Sequence, residues 1–237
     1  MHLAVDNLAC GYNRIEVLHG ISIEVPARAR IGLFGPNGHG KTTLLRTISG
    51  LLRARRGRVV YGTNDLTNRS PRQIVDRGIV HVPQGSTLFP RMTVLEALTL
   101  GAFPARAWPR RHDSLERVCT LFPRLAERRS QRCNTLSGGE RQMVAIGIGL
   151  MGCPSLLMLD EPTLGLAPKI RSELARSIHA VAETGVSLIV VDQDVDLLLG
   201  LCDRLYLLEQ GRITLDVTDR HQLQHEDVLR RYFGNAA

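Results

Sequence analysis

The stretch Ile31-Gly32-Leu33-Phe34-Gly35-Pro36-Asn37-Gly38-His39-Gly40-Lys41-Thr42-Thr43-Leu44-Leu45 decides the fold. A short aliphatic run passes directly into a glycine-rich turn and then into an aliphatic helix start. The order Gly-x-x-x-x-Gly-Lys-Thr in that context matches a phosphate-binding loop. Glycines let the backbone curl so that its amides face a polyphosphate, and the helix start adds its partial positive charge. Lys41 can reach the outer phosphates, and the Thr42 hydroxyl can ligate Mg2+. Glycine-rich strand-to-helix turns also arise for packing alone. Here, however, lysine occurs only at Lys41 and Lys169, with arginine elsewhere. A compact ammonium fits between phosphates where a planar guanidinium does not. The expected contacts are Gly35, Pro36, Asn37, Gly38, His39, Gly40, Lys41, Thr42 and Thr43.

Working outward, aliphatic runs mark further strands near 30–34, 79–82, 155–160 and 186–192, as continuous apolar strands do in a sheet buried on both faces. Other strands are expected near 3–8, 21–25, 58–61 and 204–209. The first of these alternate and turn around Gly11, which predicts an antiparallel side sheet. Helices are expected from Lys41, Pro71, Thr93, Ser137, Pro168 and near Asp194. Thr93 with Glu96, and Ser137 with Glu140, form capping-box patterns. Residues 88–150 carry helical periodicity, little strand signal and breaks at Pro104, Pro109 and Pro123. They read as an α-helical lobe inserted into an α/β core of about 1–87 and 151–237.

Two more motifs carry chemistry. The strand Leu156-Leu157-Met158-Leu159 ends in Asp160-Glu161. Carboxylates at the carboxyl end of a buried parallel strand sit at the ligand crevice. Asp160 would hold Mg2+ and Glu161 would act as general base on water; an ordinary helix cap or turn after a strand is the lesser reading of the pair. In Leu136-Ser137-Gly138-Gly139-Glu140, a serine caps a helix whose first amides are left bare by glycines, a setting that favours an anion. Taken alone, LSGGE is equally an ordinary capping box.

Together, GPNGHGKT, LSGGE and LLMLDEP, in this order and spacing, resemble an ATP-binding-cassette ATPase over essentially the whole chain. The resemblance implies ATP and Mg2+ as ligands. It also implies a site shared between two subunits, with Ser137, Gly138 and Gly139 facing the γ-phosphate held by a partner's loop. Tyr12 falls where the family stacks an aromatic ring on adenine, although it can also simply pack on the side sheet. Gln84, in HVPQ, falls at the loop that touches Mg2+ and the attacking water and joins core to lobe. The chain also departs from the family pattern. Gln193 replaces the usual switch histidine, Ala167 the aspartate that crosses the dimer, and Ile148 a common arginine. His39 is unusual within the loop. Either hydrolysis tolerates an amide at 193, or this site is the weaker of a pair.

The runs DEPTLGLAP, LFPRLAERRSQRCNTLSGGERQMVAIG and QGSTLFPRMTVLEAL are similar to the ATPase subunits of bacterial branched-chain amino-acid importers, above all the shorter of their two ATPases. The last run fits urea and short-chain amide importers equally. This resemblance implies a sibling ATPase in a heterodimer, two membrane permeases and an external solute-binding protein. It implies a peripheral position at the cytoplasmic face of the bacterial inner membrane. It also implies coupling through a groove between lobe and core near Leu88, Phe89 and Pro90. A weakly hydrolysing regulatory subunit is the other reading of Gln193 and Ala167.

Composition bounds these readings. The 237 residues suit one α/β domain with an insertion, and 43% hydrophobic with 4% aromatic residues demands an aliphatic core. No run approaches the ~18 apolar residues of a membrane span, and MHLAVDNLAC lacks the pattern of a signal peptide. The five cysteines form no CxxC or Cys/His cluster, which reads as reduced thiols. The net charge of +7 is spread as arginine groups without interleaved aromatics, so no nucleic-acid partner is expected. A solvated basic surface, or one lying near an anionic leaflet, accounts for it. Cassette proteins that act on ribosomes or DNA usually carry two cassettes or a coiled-coil insertion, and neither is present.

Overall fold

The structure, a computed structural model, describes residues 1–85 and 88–218. Ser86 and Thr87 of QGSTLFPRMTVLEAL, and with them the expected core–lobe boundary at 87/88, lie outside the described residues, as does the expected core beyond residue 218. In chain order the elements are β1 (Leu3–Tyr12), β2 (Ile15–Val25), β3 (Arg30–Phe34), α1 (Lys41–Ile48), β4 (Ala54–Tyr61), β5 (Asn64–Asp65), α2 (Pro71–Asp76), β6 (Ile79–Val82), α3 (Val94–Gly101), α4 (Arg111–Leu121), α5 (Pro123–Glu127), α6 (Gly138–Met151), β7 (Leu156–Asp160), α7 (Pro168–Glu183), β8 (Ser187–Val191), α8 (Val195–Leu201), β9 (Arg204–Glu209) and β10 (Arg212–Val217).

The strands form two sheets, β2-β1-β4-β5 and β10-β9-β3-β8-β7-β6. The first is antiparallel throughout. In the second, β9, β3, β8, β7 and β6 run parallel and β10 closes the edge antiparallel. Every residue of β7 and β8 is buried, because alternate side chains feed two separate cores. Leu157, Leu159, Leu188 and Val190 pack with α3, α6, α7 and α8. Leu156, Met158, Ile189 and Val191 pack with α1 and the side sheet. A strand flanked on both faces has no polar side to show, which is why LLML and LIVV read as unbroken apolar runs.

Three sequence expectations are refined. The chain does not turn around Gly11. It reverses at Asn13 and Arg14, where Tyr12 pairs with Ile15 and Asn13 takes a φ of 50°. Gly11 lies inside β1 at a register shift, and a Cβ there would land on the Ile15 carbonyl oxygen. It is therefore a bulge glycine rather than a turn glycine. The strand expected at 58–61 begins at Ala54; the exposed arginines Arg55, Arg56 and Arg58 disguise its outer half. Pro109 lies within a short 3-10 turn, Trp108–Arg110, and Pro123 opens α5, the position where its missing N–H costs nothing.

Ser137, Thr93 and Ser70 each cap a helix through a complete capping box. Within the lobe, Arg128 Nε pairs with Glu140 Oε1 at 2.6 Å, so the capping carboxylate of α6 is also an ion-pair partner.

Candidate active site

Four parallel strands deliver the site from their carboxyl ends: β3 the Gly35–Thr42 loop, β6 Gln84, β7 Asp160 and Glu161, and β8 Gln193. This is the crevice where open α/β sheets bind ligands. Asn37, Gly38, Gly40, Lys41, Thr42, Thr43, Gln84, Glu161, Leu164 and Gln193 line one cleft of about 410 Å³. Gly35, Gly38 and Gly40 all have positive φ, the backbone that lets the loop curl around a ligand.

Lys41 is 4% exposed, and its Nζ donates to the carbonyls of Gly35 at 2.6 Å and Pro36 at 3.0 Å. Burial pushes its ammonium below the ordinary lysine value, while the charges of Glu161, Asp160 and Asp192 act the other way. Thr42 Oγ1 donates to Asp160 Oδ1 at 3.2 Å. Burial pushes the Asp160 carboxyl up against that hydrogen bond. Its Oδ2 is buried with no partner. An orphaned carboxylate oxygen beside a hydroxyl, next to a buried ammonium, is the donor set that a hard divalent cation and a polyphosphate would complete. The residues present therefore fit both.

Glu161 is turned out of its strand by a left-handed backbone, φ 47°, and its amide donates to Val191 O at 2.8 Å. That sparsely populated conformation aims the carboxylate at two amides. Gln84 Nε2 donates to Oε2 at 3.0 Å, and Gln193 Nε2 donates to Oε1 at 3.1 Å.

Other predicted residues lie elsewhere. Tyr12 is 41% exposed, does not line the cleft, and accepts from Arg46 Nη1 at 3.2 Å through its hydroxyl. Gly35, Pro36 and His39 belong to the loop but not to the cleft wall. The His39 Nδ1 accepts from the Gln210 amide at 3.2 Å, and its carbonyl accepts from Gly211 at 3.1 Å. The unusual loop histidine thus fastens the loop to the β9–β10 turn, a role the sequence did not disclose. Ser137, Gly138 and Gly139 start α6 outside the cleft. Gly139 is demanded by packing, since a Cβ there would collide with Ile170 Cγ2. At Gly138 a Cβ would come no closer than 3.8 Å to any neighbour. Nothing among the described residues explains the bareness of Gly138.

Sequence reasoning also missed the acids flanking Gln193. The buried Asp192 accepts from Thr163 Oγ1 at 2.8 Å, and Asp194 accepts from Arg171 Nη1 at 3.1 Å. The Asp-Gln-Asp order was the available signal.

A family model described as ABC transporter matches residues 18–164. The chain is 40% identical over 235 residues, 98% of this chain and 99% of the relative, to the high-affinity branched-chain amino acid transport ATP-binding protein BraG of Pseudomonas aeruginosa. It is 31% identical, over 98% of this chain and 97% of the relative, to the lipopolysaccharide export system ATP-binding protein LptB of Haemophilus influenzae. Among solved structures, an ATP-binding cassette of an ABC transporter in its ADP conformation superposes with a TM-score of 0.86 at 26% identity, covering 99% of this chain and 100% of that one.

Proposed function

Because this chain belongs to the ABC transporter ATP-binding family, whose members hydrolyse ATP, we propose that it is the ATPase subunit of a bacterial importer of branched-chain amino acids. The observation that carries the catalytic reading is the Glu161 carboxylate held between the Gln84 and Gln193 amides in the cleft of Lys41. The 40% identity to a branched-chain amino acid transport protein, against 31% to an export protein, supports the substrate class.

The loop Gly35–Thr43 cradles the ATP phosphates, with the Lys41 ammonium turning from its two carbonyls to the phosphate oxygens. Thr42, Asp160 and Gln84 would hold Mg2+, which would supply positive charge to offset that of the phosphates. Glu161 accepts the proton of the attacking water. Two amide donors orient its carboxylate. Gln193 does by hydrogen bonding what a histidine does elsewhere in the family, without a charge that titrates near neutrality. The exposed Tyr12 ring is available to adenine. Ser137, Gly138 and Gly139 serve a second ATPase subunit, a sibling in a heterodimer, which would account for the unoccupied space around Gly138.

The whole chain reads as one nucleotide-binding domain, core about 1–87 and 151–237 with lobe about 88–150. Among the described residues no helix is long and apolar enough to cross a membrane, so membrane attachment falls to two permease subunits. Their contact is the apolar cavity of about 470 Å³ between lobe and core, walled by Val80, Val82, Leu100, Phe103, Ala145 and Ile148. An external binding protein supplies the solute.

The test is isolation of the complex from its host through a tag on this chain, followed by ATPase assay with the co-purified permeases and solute-binding protein. Stimulation by leucine or valine supports the reading. Stimulation by lipopolysaccharide, or by urea alone, overturns the substrate class.

A further inference from the structure

Gln193 sits exposed on the turn between β8 and α8, and a glutamine side chain is too flexible to hold an aim by itself. Its two neighbours supply the constraint. Asp192, 4% exposed, accepts through Oδ2 from Thr163 Oγ1 at 2.8 Å and through Oδ1 from the Asp194 amide at 3.0 Å. Asp194 accepts through Oδ1 from the Leu197 amide at 3.0 Å, capping α8, and through Oδ2 from Arg171 Nη1 at 3.1 Å. Both anchors come from the single segment that follows Glu161. Thr163 is 1% exposed, two residues beyond the catalytic carboxylate, and Arg171 lies in the first turn of α7.

We infer that Thr163 and Arg171 are positioning residues that set the Gln193 amide against Glu161, so that the turn after Glu161 carries both partners of the Glu161–Gln193 hydrogen bond as one unit. The inference rests on the proposal that Glu161 and Gln193 act in hydrolysis. Bonds to an ionised carboxylate are the strong class of hydrogen bond, and a buried one is poorly replaced by water. The segment between the two anchors is open to solvent, with Leu164 53% exposed. Whatever presses on that turn therefore moves the amide that touches the base.

The test is a double-mutant cycle in the complex isolated through a tag on this chain. Thr163→Val removes the donor with little change of shape, and Thr163→Ser keeps it. Each is made in the wild-type and Gln193→Ala backgrounds, and kcat and the KM for ATP are measured. The expected result is a drop in kcat of roughly tenfold for Thr163→Val at unchanged KM, near-complete rescue by Thr163→Ser, and no further loss when Thr163→Val is added to Gln193→Ala. Arg171→Ala, which removes a part-exposed side chain, should show the same non-additivity and guards against misfolding at the buried threonine. Equal losses in both backgrounds overturn the inference, because they mark a general structural role. Wild-type kcat in Thr163→Val also overturns it. Wild-type kcat in Gln193→Ala alone overturns the catalytic reading of Gln193, and the inference with it.

Discussion

Gln193 Nε2 donates to Glu161 Oε1 at 3.1 Å across the cleft that the phosphate-binding loop forms with β7. An amide can give this bond but cannot take up a proton there near neutral pH. If the bond aims the base, Gln193→Ala should slow steady-state phosphate release about tenfold, the scale of one charge-assisted hydrogen bond. Gln193→Glu should slow it further, because it replaces the amide donor with a second carboxylate that repels the first. A wild-type rate in Gln193→Ala would leave position 193 idle.

Lys41 is a buried ammonium whose hydrogen bonds end on the backbone of its own loop. Lys41→Ala removes the charge from the cradle, and titration calorimetry should show ATP affinity falling by at least about a hundredfold, on the scale of a buried charge contact. Retained affinity would contradict the placement of the phosphates.

His81, on β6, bonds Ser49 Oγ through Nδ1 at 3.2 Å, while its Nε2 is buried without a partner. Burial, with a smaller contribution from the Arg46 charge, pushes its pKa down to about 4. An unfolded histidine titrates near ~6.5. Between those values the unfolded chain binds the proton that the folded chain refuses. The stabilisation is therefore complete above the unfolded pKa and is lost as pH falls toward the folded one, by up to about 3 kcal/mol. Urea unfolding between neutrality and pH ~5 should show wild type losing stability relative to His81→Gln. A constant difference would refute the burial of a neutral ring.

Ala167 occupies the N-cap of α7 in extended conformation and offers no side-chain cap. Ala167→Asp should accept from the first turn and stabilise the chain by about 1 kcal/mol. For a domain of this size that is a rise in Tm of roughly 3 °C, read by thermal melting. No rise would mean that the bare helix start is compensated elsewhere.

The sheet was legible because its strands are buried on both faces: IGLF and LLML carry no polar residue to confuse their reading. The helix starts were legible because Ser137 and Thr93 announce themselves with a glutamate three residues on. The loop, Asp160, Glu161, Gln84 and Gln193 were legible by motif, and the fold gathers Lys41, Thr42, Gln84, Glu161 and Gln193 in one cleft, with Asp160 bonded to Thr42. Three features were not. The Gly11 bulge depends on a cross-strand carbonyl, which no local pattern encodes. The His39 bond to Gln210 spans 171 positions of sequence. The Thr163–Asp192 and Arg171–Asp194 bonds join separate elements, so their partners stand next to each other only after β7 and β8 have paired.

The account turns on Glu161 as the group that takes the proton of the attacking water. The most direct measurement is single-turnover ATP hydrolysis by Glu161→Gln in the isolated complex, with bound nucleotide identified after quench. The account predicts that turnover falls by about a hundredfold or more and that ATP, not ADP, stays on the protein in a closed pair of subunits. Hydrolysis at the wild-type rate, with ADP as the bound species, would contradict it.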